Sequence, residues 1–178
     1  MKRRRAAIDL LDLVVYLAMF LIIIAFLYPT FSRAKKNTQR ANCQLNQKQI
    51  AFALLQYAAD NDGDLPRHNW VAMAKPYVKD SAVFRCPSKG APIGGSDYFF
   101  NDHLFKKQLE NIKSPQTLIL MGDGNDDKPL SKFPSAWLKD ENSPAWRHIE
   151  GANYCFADGH IKWLTPDRVL SDFRVVNP

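Results

Sequence analysis

Ligating and acid–base side chains gather in a few places along the 178 residues. His148, Asp158 and His160 offer two imidazoles and a carboxylate, a set that could hold zinc and leave one position open. However, Asp158 and Gly159 read as a turn, where the Asp side chain bonds nearby backbone, and His160 follows that turn directly. A structural role is therefore expected for His148, Asp158 and Gly159. Two acidic stretches have oxygen donors at calcium-loop spacing: Asp60, Asp62 and Asp64, then Asp123, Asn125, Asp126 and Asp127. The first has Leu65 where the sharp-turn glycine belongs and no closing Glu, and the second has Lys128 at the turn position. Helix-end and turn chemistry is the favoured reading of both; the second set, Asp123, Asn125 and Asp127, stays open as a calcium alternative, with no other cofactor implied. There is no Ser or Cys nucleophile elbow, phosphate loop or zinc pair of cysteines, so an enzyme is not expected.

Three cysteines, Cys43, Cys86 and Cys155, would meet an oxidising compartment if the folded part is exported, and one must stay single. Cys43 with Cys86 is the favoured pair, because one lies on a helix face turned to the domain and the other in a loop that needs anchoring. Three unpaired small core residues is the alternative.

These groups must be positioned by few elements. Residues 30–63, rich in Ala, Gln, Lys and Leu without internal Gly or Pro until the end, predict a helix. Cys43, Gln47, Ile50, Leu54, Tyr57 and Ala58 share one face of it and should pack on a small sheet. Arg33, Lys35, Lys36 and Arg40 read as a solvated face. Asn61, Asp62 and Gly63 supply the stop, and Pro66 prevents resumption. Residues 70–122 alternate short apolar pieces with Pro, Gly and Ser, so loops with brief strands are expected. Within SPQTLILMGDG the apolar run predicts a central strand.

Near the C-terminus, Asp158 and Gly159 between NYCFA and HIKWL predict a hairpin with a two-residue type I′ turn. That register sets Phe156 opposite Ile161 and Tyr154 opposite Trp163 on a core face. Cys155, Ala157, His160 and Lys162 would then share a more polar, partly exposed face.

The strongest physical signal precedes all of this. Residues 10–28, LLDLVVYLAMFLIIIAFLY, are apolar on every helical face with Asp12 the one charge, enough helix to cross a bilayer. The run ends in Tyr28, Pro29, Thr30 and Phe31 rather than in the small residues of a signal-peptide cleavage site. Lys2, Arg3, Arg4 and Arg5 precede it and hold that end in the cytoplasm. They also supply four of the charges behind the net +6, which leaves nucleic-acid binding without support.

This beginning resembles the type IV pilins and type II secretion pseudopilins. In that family a basic leader is cut by a peptidase, the new N-terminus is methylated, an acid stands fifth in the mature chain and a proline often twenty-second. A cut between Ala7 and Ile8 makes Asp12 fifth and Pro29 twenty-second. Gly, Phe and Glu are usual where this chain has Ala7, Ile8 and Asp12. The end of the chain resembles a C-terminal motif of a bacterial group with pilin-like N-termini: His148, nine residues, then Asp158 and Gly159. VFRCPS and SPQTLILMGDG also fall in the order that group shows. The resemblance implies a prepilin peptidase that processes Ala7–Ile8, and an Asp12 carboxylate that neutralises the N-terminal amine of a neighbouring subunit. It also implies a secretion or pilus assembly platform as partner.

The expected architecture is α+β: a basic leader (1–7), a transmembrane helix (8–29), its amphipathic continuation (30–63), and a loop-rich β domain (64–178) ending in the hairpin. The long helix packs on a small antiparallel sheet. The expected protein is single-pass in an inner membrane, with the C-terminal domain periplasmic, and acts as a structural subunit associating with the bilayer and with pilin-type subunits. The alternative is an uncleaved, anchored binding module for a ligand or glycan. It would use residues 89–102 and 123–137, with Tyr98, Phe99, Phe100, Phe133 and Trp137.

Overall fold

A computed structural model describes residues 9–89, 95–125, 128–130 and 132–173. Ala7 and Ile8 lie outside these residues, as does Asp127. The chain divides into two compact units, Met1–Lys36 and Asn37–Pro178, both entered by one helix, α1 (Leu10–Asp60).

Within the first unit α1 starts on a reciprocal cap. Asp9 Oδ1 accepts from Leu10 N, and Asp12 Oδ2 accepts from Asp9 N at 3.3 Å. These bonds satisfy amides that the first helical turn leaves without intrahelical partners. Residues 9–36 are all exposed, so among the described residues the apolar side chains of residues 10–28 find no cover. Nineteen helical residues rise about 28 Å, close to the hydrocarbon thickness of a bilayer. This stretch of α1 is a candidate membrane span by length and composition. Pro29 sits inside the helix and takes one amide out of the ladder, and Thr30 Oγ1 donates to Phe26 O nearby.

In the second unit α1 buries Cys43, Gln47, Ile50, Ala51, Ala53, Leu54 and Ala58. Tyr57 is half-buried, edge-on to Tyr77. The helix stops where Asp62 turns to φ 55°, and Gly63 N, at φ 84°, reaches back to Ala58 O at 2.8 Å. That is the bond of a left-handed C-terminal cap. Short elements follow: α2 (Trp70–Ala74) and a series of 3₁₀ turns, one of which, Ser81–Phe84, is capped by Asp80.

The sheet is antiparallel in the order β1 (Tyr98–Phe100), β2 (Ile119–Asp123), β3 (Ala152–Phe156) and β4 (Ile161–Leu164). The apolar run ending in MGD thus forms an inner strand, β2. Alternation sends Tyr98, Phe100 and Cys155 toward α1, in a core with Ile50, Leu54 and Trp70. Phe99, Ile119, Tyr154 and Phe156 face the other way, where Phe133, Ala145 and Val169 of α3 (Pro166–Phe173) cover them. A bulge between Ile119 and Met121 lets β2 change which side chains it gives to each layer. Both outer strands are blunted. Leu130 N crosses to Phe100 O on β1 at 2.8 Å, and β4 presents exposed Lys162.

The hairpin register differs from the expected one. Cys155 pairs with Ile161, Tyr154 with Lys162 and Asn153 with Trp163. The loop holds three residues rather than two: Gly159 N donates to Phe156 O, and Phe156 N donates to His160 O, both at 2.9 Å. Gly159 at φ 85° is the bulge residue after a turn centred on Ala157 and Asp158. An Asp-Gly pair suits either loop, and one extra loop residue moves every partner by one. Tyr154 and Phe156 are core in both registers. Ile161 and Trp163 instead share the Cys155 face and are half-buried, while His160 stacks on Phe156 at 4.3 Å between ring centres. All of β3 is buried, so its second face is not the exposed one that alternation of polar types implied.

Candidate functional site

The polar centre of the second unit is built where β2 ends. Asp123 closes an apolar strand and is fully buried, so its charge must be met by fixed partners. Its Oδ2 accepts from Asn153 N at 2.7 Å, and its Oδ1 accepts from Gln47 Nε2 of α1 at 3.2 Å. The Arg147 guanidinium, with a side chain only 8% exposed, lies 3.5 Å from Oδ1, and His148 Nε2 lies 3.4 Å from Oδ2. Arg147 also donates to the carbonyls of Asp97 and Gly124. A methyl group on Gly124 would come within 2.6 Å of Phe99 N, so only glycine lets that carbonyl be offered there.

Asp97, 2% exposed, organises the next layer. Its Oδ2 accepts from Cys86 N at 2.9 Å, and Lys89 Nζ stands 3.2 Å from Oδ1. Cys86 is bonded to Cys43 of α1, with Cα atoms 5.3 Å apart. His148 Nε2 is 3.4 Å from Cys86 Sγ, and Nδ1 is 3.3 Å from Ser88 Oγ. Ser88 Oγ and Asp123 Oδ2 thus engage the two ring nitrogens of His148, one on each side.

Two residues hold His148 in place at a cost. Ile149 and Glu150 both have positive φ, 53° and 62°, and His148 N donates to Gly151 O across them at 2.8 Å. This sign pattern belongs to a type I′ turn, which ordinarily takes Asn and Gly. Trp163 Nε1 donates to His148 O at 2.7 Å and pins the turn to β4. Glu150 is exposed, so Glu150→Gly removes left-handed strain without removing a packed side chain. It should stabilise the domain by about 0.5–1 kcal/mol, read as a higher melting temperature of the full chain in detergent.

The motif residues therefore act in separate places. His148 sits in the buried centre before β3, whereas Asp158 and His160 lie beyond its other end. The two imidazoles and Asp158 do not form one ligand set. Asp158 Oδ1 accepts from His160 N at 3.1 Å and lies 2.6 Å from His160 Nδ1. Its slight burial acts to raise the carboxyl pKa, but the backbone and side-chain hydrogen bonds from His160 outweigh it and hold the group below its ordinary range.

The calcium candidates are differently engaged. Asp123 and Asn125 Oδ1 both contact Arg147, and Asp127 lies outside the described residues. Asp64 pairs with Arg67 at 3.6 Å, while Asp60 and Asp62 belong to the end of α1. Among the described residues, one group of metal-ligating side chains converges: Cys43, Cys86, Asp123 and His148. Sequence reasoning named all four but not together. A carboxylate closing a central apolar strand was the available signal.

The aromatic residues of the 89–102 and 123–137 segments are largely core. Tyr98, Phe99 and Phe100 are fully buried, Phe133 is 7% exposed and Trp137 packs on Phe133 and Phe99. Burial lifts the Tyr98 and Tyr154 hydroxyls well above the ordinary tyrosine range, with the Asp123 charge adding to it. Cys155 is a buried free thiol, pushed up to about 12 by burial and then by Asp158. Alkylation of the unreduced chain should accordingly label no cysteine when native, one when denatured, and all three when denatured and reduced. Rapid native labelling would contradict this arrangement.

No family model matches the chain, and neither a curated protein nor a solved structure matches it. The fold and site by themselves define an α+β protein with a long helix on a four-stranded antiparallel sheet, tied by a disulfide and a buried ion cluster.

Proposed function

We propose that the chain is a pilin-like or pseudopilin-like structural subunit, anchored in an inner membrane through residues 10–28 with its folded domain on the periplasmic side. The observation that carries this is the exposure of every residue from 10 to 28 on a helix that continues into the core of the second unit. Such a surface is stable in lipid and costly in water. In this reading a prepilin peptidase cuts between Ala7 and Ile8. Subunits then pack helix to helix on a secretion or pilus platform, and Asp12 exchanges its contact with Asp9 N for the freed amine of a neighbour.

The test is the mass of the mature N-terminus together with membrane fractionation. A methylated chain beginning at Ile8 and extracted only by detergent supports assembly. Full-length chain dissolved in cytosol would overturn both the processing and the anchor. A second reading, an uncleaved anchored binding module, is favoured by an open groove of about 480 Å³ beside Asn42, Asn46, Gln49 and Arg85, which lies outside the 89–102 and 123–137 segments expected to bind. An intact Met1 on membrane-bound chain would favour it.

A further inference from the structure

We infer that Cys43, Cys86, Asp123 and His148 form a zinc site when the Cys43–Cys86 bond is reduced, so that the domain exchanges a metal cross-link for a disulfide. One ligand atom from each residue lies within 4.8 Å of all the others, and all four residues are buried. They come from four separate segments: α1, the turn after residue 84, the end of β2 and the turn before β3.

The spacing suits a tetrahedron. Zinc–ligand bonds of about 2.0–2.3 Å set ligand atoms about 3.3–3.8 Å apart. His148 Nε2 is 3.4 Å from both Cys86 Sγ and Asp123 Oδ2. The two bonded sulfurs must separate, and the remaining ligand atoms lie within 4.8 Å of one another.

The surroundings resemble an outer ligand shell. Ser88 Oγ faces His148 Nδ1, the nitrogen a metal on Nε2 leaves free, and Asn153 N and Gln47 Nε2 orient the carboxylate. Charges also balance: two thiolates and one carboxylate are met by a divalent ion and the Arg147 guanidinium. A disulfide alone needs no carboxylate and imidazole converging on it, and burying them beside apolar sulfur carries a desolvation cost.

The redox step is thiol–disulfide exchange. A dithiol reductant gives two electrons and two protons to the Cys43–Cys86 bond and itself becomes a disulfide. Zinc then displaces the two thiol protons to solvent. A disulfide oxidant reverses this by exchange: it takes two electrons from the two thiolates and two protons from solvent, becomes a dithiol, and the re-formed Cys43–Cys86 bond releases the ion.

The experiment uses the full chain in detergent micelles, either oxidised or reduced with dithiothreitol and desalted under argon, then given zinc chloride or cobalt chloride and desalted again. The expected result is about one zinc per chain in the reduced form and none above background in the oxidised form. The cobalt-loaded form should show a thiolate-to-cobalt charge-transfer band with tetrahedral d–d intensity. Cys155→Ser should leave both unchanged, and His148→Gln should abolish tight zinc binding.

X-ray absorption of the unmodified zinc-loaded chain decides the matter even if His148→Gln fails to fold. Two sulfurs near 2.3 Å and two lighter atoms near 2.0–2.2 Å support the site. Equal zinc in both redox forms, no zinc in either, or a metal shell without sulfur would overturn it.

Discussion

Arg147→Ala should be among the most damaging single changes, lowering domain stability by about 3–5 kcal/mol, the range found when one partner of a buried ion pair is removed. Asp123 has no exposure, and in the variant its carboxylate keeps only neutral donors and His148. The carbonyls of Asp97 and Gly124 lose their donor as well. Arg147→Lys should recover only part of the loss, because a single ammonium cannot span the two carbonyls and Asp123 as the guanidinium fork does. Thermal melts of the full chain in detergent, followed by tryptophan fluorescence, measure both variants. A loss under about 1 kcal/mol for Arg147→Ala would mean that Asp123 is solvated and that the pair behaves as a surface one.

Opening the Cys43–Cys86 bond is the second large effect. The bond closes a sequence separation of 43 residues. In the chain-entropy model a loop of that length contributes about 4 kcal/mol by restricting the unfolded chain. Cys43→Ser/Cys86→Ser, or reduction in a chelator-containing buffer, should therefore lower the unfolding free energy by about 4 kcal/mol, with a lower denaturation midpoint and a steeper slope because the unlinked unfolded chain exposes more surface. Zinc added to the reduced wild type should restore part of it, and zinc added to the double variant should restore none. A double variant as stable as the oxidised chain would show that the unfolded state is already held compact, contrary to the chain-entropy account.

The same two regions show what could be read from the amino-acid order. The face of α1 through Cys43, Gln47, Ile50 and Leu54 was legible because helical periodicity is a local property that burial reinforces. The inner strand ending in Asp123 was legible from its unbroken apolar run. Register was not: Asp158 and Gly159 fit two loop lengths, and the choice was made by contacts such as Phe156 on His160. The buried cluster was not legible either. By spacing Asp123 reads as a calcium candidate, and His148 as the first residue of a motif ending at Asp158 and Gly159. Their meeting depends on β2 and β3 lying side by side, which no local pattern states. The strained turn at Ile149 and Glu150 runs against local preference altogether, and it is accepted because it delivers His148 to that meeting.

The blunted outer strands bear on how a crowded population of such molecules behaves. Leu130 bonded to β1 and Lys162 standing out from β4 each hinder an incoming chain from extending the sheet. Cross-chain sheet growth, the usual route to fibrillar aggregates, is thereby discouraged at both flanks.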